Sequence, residues 1–462
     1  MAPRPRISRK ITVATALGLT EAAAHSPHVP GALISCEGGK ERLVVRLTSP
    51  GGKPQLFDFT PHLHRRDLAV NFADAFYGWG VAQSATTRLR KKPFLDRFFE
   101  YLDEIEARGP SVQPIERLDQ LTTHLFNGYV AWLNEPKLRT RGPLRGKRKP
   151  WTVKSRSVHF GIVSCIVDWL KNYRPDRLPD DCELPWAPWP GVERKVTPTK
   201  ILTPQQVAQI EAACIAEIDC TWRRFQLGRQ LLSRRSEQPG GHDSELIALL
   251  QFIHLEHGDV VKNVAALPNR WSALIATRGG SEALHTFLCA TVRSLIPYAI
   301  LIVSRGFFNT EAVLGANRNV VEDDPLFDER QVVWLDKGRS TKNQRRSFDA
   351  RRSHAVPNLI EQVLELTEPL LKHVCGTPLE RRLFIFKGGR GSKEPVLSFI
   401  DINGVLDSHL WTDNLKRFRE RHSLPYFTLH MLRKTGSDRV HEATGGNLKA
   451  VQKLLGQANP DV

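Results

Sequence analysis

The stretch Thr428–Val462, TLHMLRKTGSDRVHEATGGNLKAVQKLLGQANPDV, decides how the rest of the chain is read. His430 and Arg433 stand three residues apart. On a helix their side chains leave one face a turn apart, while Leu429 and Leu432 turn inward. An imidazole and a guanidinium held this way clamp an oxyanion. Further on, Leu448, Val451, Leu454 and Leu455 make an apolar stripe at helical spacing, with Asn447 as its cap and Gly456 as its stop. Gln457 is thereby delivered just past a helix end.

A lone His-x-x-Arg recurs by chance in many proteins. The combination of His430-Met-Leu-Arg433-Lys-Thr with Val451-Gln-Lys-Leu-Leu-Gly456 resembles the second conserved box of the tyrosine recombinases, the phage integrase family. That family runs His-x-Leu-Arg, then a helix ending Leu-Gly-His, then a nucleophilic tyrosine. The resemblance implies a mainly helical α+β protein, a helical core-binding domain followed by a catalytic domain. Its partner is double-stranded DNA, and it needs no cofactor. Active members usually assemble as homotetramers on two DNA sites. The implied chemistry is attack of a tyrosine on a phosphodiester, giving a 3′-phosphotyrosine link that a 5′-hydroxyl reverses. Fixed arginines suit the charge on the non-bridging oxygens, because each guanidinium is a planar fork of donors that stays protonated. The resemblance makes Arg433 one such fork and His430 a phosphate donor or proton handler. A lysine would protonate the leaving oxygen.

The chain departs from the family at four places. Its first arginine belongs to a Thr-Gly-x-Arg-x-x-Glu turn, and the matching stretch is Arg305-Gly306-Phe307-Phe308-Asn309-Thr310-Glu311. Phe308 stands at the arginine position, with Arg305 and Arg318 as possible replacements. The lysine is expected in a hairpin turn, which follows the strand Gln331–Leu335, so Lys337 is the choice and Lys342 the reserve. Gln457 stands where histidine or tryptophan is expected, and an amide donates to phosphate but exchanges no proton. No tyrosine follows Arg433: the six are Tyr77, Tyr101, Tyr129, Tyr173, Tyr298 and Tyr426, the last read as core. With Val462 at the end, the expectation is a degenerate member, or one truncated before its tyrosine, that does not cleave DNA as written. A catalytically inactive DNA-binding protein on the same fold is the alternative, and a helical scaffold with a basic face a third reading.

Composition agrees with a phosphate-binding protein. Lys and Arg number 66 against 49 Asp and Glu, a formal charge of +17, as expected where phosphates are neutralised. Seven scattered cysteines without Cys-x-x-Cys suggest reduced thiols and a cytoplasmic setting. The most apolar run, Leu295 to Val303, is far shorter than the roughly 20 residues of a membrane span. His254-Leu-Glu-His257 lacks metal-helix spacing, and no metal is expected.

In chain order, residues 1–65 read as a basic arm and a hairpin appendage, with strands Leu43–Leu47 and Gln55–Phe59 around Ser49–Gly52. His62 and His64 read there as solvated. Residues 66–175 read as the helical DNA-binding domain. Its apolar periodicities are Phe94, Phe98, Leu102, Ile105, then Leu118, Leu121, Leu125, Phe126, then Val158, Ile162, Ile166, Leu170. Between the last two lies an acid-free basic segment flanked by Trp132 and Trp151. Its Lys137, Arg139, Arg141, Arg145, Lys147, Arg148, Lys149, Lys154 and Arg156 are candidates for the DNA backbone. The proline-rich residues 176–200 read as a linker, and 201–462 as the catalytic domain, entered through the capping box of Thr203, Pro204 and Gln206. Further helices are expected at Glu245–His254 and Ser281–Val303. In the family the two domains clamp DNA from opposite faces.

Overall fold

A computed structural model of the chain describes residues 32–37, 40–48, 54–108, 113–138, 146, 148–191, 199–233, 243–261, 263–336, 344–389, 392, 394–401, 405–447, 449 and 451. The fold is α+β, mainly helical with small sheets. No helix among the described residues is long and apolar enough to cross a membrane. Two compact units are formed. The first takes in the chain to Pro190 apart from Thr48–Gln55 and Ser84–Arg90, which group with the second, Gly191–Val462.

The first unit opens with a three-stranded sheet, ordered β1 (Ala32–Glu37), β2 (Lys40–Leu47), β3 (Gln55–Asp58). Alternation along β2 sends Leu43, Val45 and Leu47 to one side. They join Phe57, Phe59 and residues from the helices in a single core, so the sheet is part of the domain rather than an appendage. The helices are α1 (Arg66–Val81), α2 (Ala85–Ala107) and α3 (Thr123–Asn134). A short ribbon of β4 (Lys137–Leu138) and β5 (Arg148–Lys149) then leads to α4 (Val153–Tyr173). The core is unusually aromatic: Phe72, Phe76, Phe98, Phe99, Phe126 and Tyr129 are all fully buried.

Several expectations are corrected. The periodicity from Leu118 spans two elements, a 3₁₀ turn at Leu118–Gln120 and α3, because Thr122 caps the helix by accepting from Leu125 N–H. His62 is buried, 2.9 Å from Asp96 and stacked on Phe99. Only His64 is exposed. Half of the stretch read as linker is folded: Cys182 is buried in the first core, Thr123 N–H donates to Asp181 O, and Trp189 Nε1 donates to Asn134.

The second unit begins with α5 (Pro204–Ser233), whose capping box forms as expected. Gln206 N–H donates to Thr203 Oγ1, and Thr203 N–H to Gln206 Oε1. There follow α6 (Asp243–His257), α7 (Asn269–Thr277) and α8 (Gly280–His285). Next come α9 (Val292–Gly306) and the short α10 (Thr310–Leu314). One helical stretch was expected over Ser281–Val303, but Thr291 starts a new helix by accepting from Ser294 N–H. The apolar run Leu295–Val303 is buried throughout and forms the axis of the core.

An antiparallel sheet of β6 (Val321–Asp323), β7 (Arg330–Leu335) and β8 (Gln344–Asp349) follows, with β7 central and Val333 opposite Arg346. Then come α11 (Val356–Thr367), the pair β9 (Ile385–Lys387) and β10 (Val396–Ser398), α12 (Ser408–Arg421) and α13 (Leu429–Ala443).

Buried ionisable groups pin these elements. Glu217 on α5 receives Arg293 Nε of α9 at 2.9 Å, Arg421 Nη2 of α12 at 2.9 Å, and faces His422 Nε2 at 2.8 Å. Burial alone would raise its carboxyl, but hydrogen bonds from His422 and Arg293 and the neighbouring charges hold it below its ordinary range.

His285 is buried completely, its Nδ1 2.5 Å from Ser281 O and its Nε2 accepting Val261 N–H at 3.2 Å. One ring nitrogen must donate and the other accept, which selects the neutral ring. Burial, with Lys387 nearby, depresses its pKa to about 3. Between that value and its ordinary 6.5 the unfolded chain binds a proton that the folded chain refuses. Stability should therefore be level, as far as this group is concerned, above pH 6.5 and fall by about 1.4 kcal/mol per pH unit below it. Urea unfolding at pH 7.5, 6 and 5 should show a shallower acid slope for His285→Gln than for the native chain. Equal slopes would refute the assignment.

Candidate functional site

Helix α13 carries the motif. Thr428 caps it, accepting Met431 N–H at 3.2 Å, and Leu429 and Leu432 are buried. His430 is exposed and Arg433, one turn on, is half-buried. As expected, the apolar pair turns inward, while His430 faces solvent and Arg433 is partly covered. Tyr426, expected in the core, is 67% exposed and lies beneath the Arg419 guanidinium at 4.6 Å.

Arg433 Nε donates to the carbonyl of Phe307 at 3.0 Å. Phe307 ends α9 in the left-handed region, with φ 49°, which is uncommon and costly for a bulky side chain. Two contacts hold it there. Its carbonyl meets Arg433, and its ring lies over Gly436 so closely that a Cβ on Gly436 would sit 1.8 Å from Phe307 Cε1. Helix α13 and the end of α9 thus fix one another, and a main-chain carbonyl helps to aim Arg433. Burial lowers the Arg433 pKa.

Phe308, at the position expected for an arginine, is wholly buried. The two proposed replacements for it are placed differently. Arg305 Nη1 donates to His354 O at 2.5 Å. Arg318 is spent on the end of α11, bonding Thr367 Oγ1, Leu364 O and Glu368. A groove of about 690 Å³ opens beside Phe307 and Gly436, with Arg305, Arg330, Arg352 and Arg439 on its walls, and Glu211 and Asp349 among them.

Sequence reasoning missed Arg346. It lies on β8, its guanidinium 4.5 Å above the Phe308 ring. The available signal was period-two alternation, Gln344-x-Arg346-x-Phe348, which puts an arginine on the inward face of a strand. That signal was lost within a uniformly basic run. Lys337, Lys342 and Gln457 lie outside the described residues, as does most of the downstream helix that was to deliver Gln457.

In the first unit, Arg139, Arg141, Arg145 and Lys147 also lie outside the described residues, while Lys137 and Arg148 enter the β4–β5 ribbon. Lys149 and Lys154 are exposed. Arg156 is not a free cation: its Nε donates to Trp151 O at 2.9 Å and its Nη1 bonds Asn134.

Gly436→Ala should lower the melting temperature by several degrees, by forcing Phe307 off its seat at a cost of about 1–3 kcal/mol typical of overpacking. Thermal melts followed by circular dichroism check this, and an unchanged melt would show that the Phe307 turn yields freely.

No protein-family model matches the sequence, and no curated protein matches it. Two solved structures of the XerH site-specific recombinase are similar, one a pre-cleavage complex on difH and one a post-cleavage complex on palindromic difH. Each has 10% identity and a TM-score of 0.40, over 85% of this chain and 83% of the other.

Proposed function

We propose that the second unit holds a phosphodiester of duplex DNA at Arg433, and that the protein is a site-specific recombinase of the tyrosine type by lineage. The observation that supports this most is the seating of Arg433. A desolvated guanidinium is fixed by a main-chain carbonyl, one helical turn from an exposed histidine, in a chain of net charge +17. Such a fork favours a planar array of acceptors, as a phosphate oxyanion offers. In this reading His430 adds a second donor, and the lysine comes from the β7–β8 hairpin, where Lys337 and Lys342 lie in sequence. Assembly as a tetramer on two DNA sites belongs to the same reading.

A catalytically inactive DNA-binding protein on the same fold is the second reading. Phe308 in place of an arginine favours it. The loss of a fixed oxyanion donor costs roughly 3–4 kcal/mol of transition-state stabilisation.

Fluorescence anisotropy on the full 462-residue chain tests phosphate engagement. Affinity for duplex DNA should fall steeply with salt, by about 0.9 in log K per log salt for each phosphate neutralised. Arg433→Ala should lower that slope by about one phosphate and leave the far-ultraviolet circular dichroism unchanged. Binding that ignores salt would sink the reading. A nicked suicide duplex separates its two forms: a detergent-stable protein–DNA adduct indicates strand transfer, and salt-sensitive binding without an adduct indicates the binding protein.

In the first unit, Lys149→Ala and Lys154→Ala should each reduce DNA affinity without changing the melting temperature. Arg156→Ala should instead lower the melting temperature, because it removes the Trp151 and Asn134 contacts. The reverse pattern would reassign the segment.

A further inference from the structure

The turn from β8 into α11, residues 350–355, is pinned from two sides. Asn358 Nδ2, in the first turn of α11, donates to Ala350 O at 2.8 Å and to Arg352 O at 3.1 Å. Arg305 Nη1 of α9 donates to His354 O at 2.5 Å. These bonds hold His354 in the left-handed region, with φ 58°. That region is uncommon for a side chain of this size and persists where the surroundings enforce it.

The side chains of the turn show what this conformation achieves. The His354 side chain is 16% exposed, with Nε2 2.8 Å from Asp219 Oδ1 on α5 and Nδ1 2.7 Å from Ser353 Oγ. A carboxylate only accepts, so Nε2 carries the ring proton and Nδ1 accepts from the Ser353 hydroxyl. Asp219 thereby orients the imidazole, and the imidazole is aligned to take a proton from Ser353. Ser353 is exposed and lines the groove of about 690 Å³. A serine on a strained strand-to-helix turn presents its Oγ instead of burying it.

The groove supplies the remaining parts. Its size is that of a small-molecule site. Phe348 and Leu432 give it apolar surface, and four arginines against two carboxylates give it positive charge. The start of α11 borders it at Ala355 and Val356, and the N-terminal end of a helix carries positive partial charge.

We propose that Ser353, His354 and Asp219 form an esterase site in this groove, acting on small carboxylic esters whose acyl part carries an anionic group. Ser353 Oγ attacks the carbonyl carbon as its proton passes to His354 Nδ1. The ester C–O bond breaks, the alcohol departs with that proton, and an acyl-serine remains. Water then adds to the acyl carbon while giving a proton to Nδ1. The acid is released as Ser353 Oγ takes that proton back. Negative charge on the carbonyl oxygen is favoured by the positive end of α11. Ser353 and His354 touch the reacting atoms, and Asp219 is a positioning residue. None of the three belongs to the phosphate reading, so the two stand or fall separately.

The test uses the full chain without DNA and two probes, 4-nitrophenyl acetate and the mono-4-nitrophenyl ester of adipic acid, with spontaneous hydrolysis subtracted. The native protein should hydrolyse both, with the higher kcat/KM for the adipate ester. Ser353→Ala should lower kcat/KM by about a hundred-fold or more, with melting temperature and DNA affinity unchanged. Asp219→Asn should lower kcat and leave KM near native, and Asp219→Glu should restore part of the rate. A fluorophosphonate should label Ser353, as located by peptide mass spectrometry.

Hydrolysis by Ser353→Ala at the native rate, no hydrolysis above background, or labelling at another residue overturns the proposal. Equal kcat/KM for the two esters overturns the anionic-substrate assignment. Should Asp219→Asn melt below the assay temperature, Ser353→Ala decides, because it leaves the His354–Asp219 contact in place.

Discussion

One hydrogen bond, from Arg433 Nε to the carbonyl of Phe307, joins the two parts of the sequence from which a function can be argued. It links helix α13 to the end of the central helix α9 across a separation of 126 residues. Its acceptor belongs to a residue in an uncommon backbone conformation, held by the absence of a side chain at Gly436. A main-chain carbonyl as acceptor matters physically, because it orients the guanidinium without cancelling its charge.

Rigidity behind this contact comes from buried polar clusters. Glu217 gathers cations from α9 and α12, and the loop after α12 leads into α13. Ser304, near the end of α9, donates to Glu211 of α5 at 2.6 Å. A site carried on helices fixed in this manner keeps its geometry better than one carried on loops. Breaking such a cluster would leave buried charge uncompensated, which is more costly than the loss of an exposed ion pair.

The legible parts of the fold were those fixed by local pattern. Alternating Gln331–Leu335, the box at Thr203–Gln206 and the Leu429/Leu432 spacing each name their element without help from distant residues. The sheet at the N-terminus was half legible: its alternation was visible, but its burial depends on Phe72 and Phe76, thirty residues away, which pattern alone does not bring to it. His62 escaped for the same reason, since its partners Asp96 and Phe99 lie on another helix. In the candidate site, His430 and Arg433 follow from one helix and were found together. The stacking of Arg346 on Phe308 needs β8 and the turn after α9 to meet and was hidden among neighbours of like charge. The acceptors of Arg305 and Arg318, His354 O and Glu368, lie far off in sequence and leave no local signal.

Strand β8 has one further implication. Its inward set is Gln344, Arg346 and Phe348, and its pairing with β7 fixes which side chains those are. Because a strand exposes alternate residues, a slip of a single position would turn Arg345 and Ser347 toward the turn instead. An arginine would still arrive, but the Phe348 ring and the Gln344 amide would both leave, so the packing of the turn is a parity property of the strand pairing.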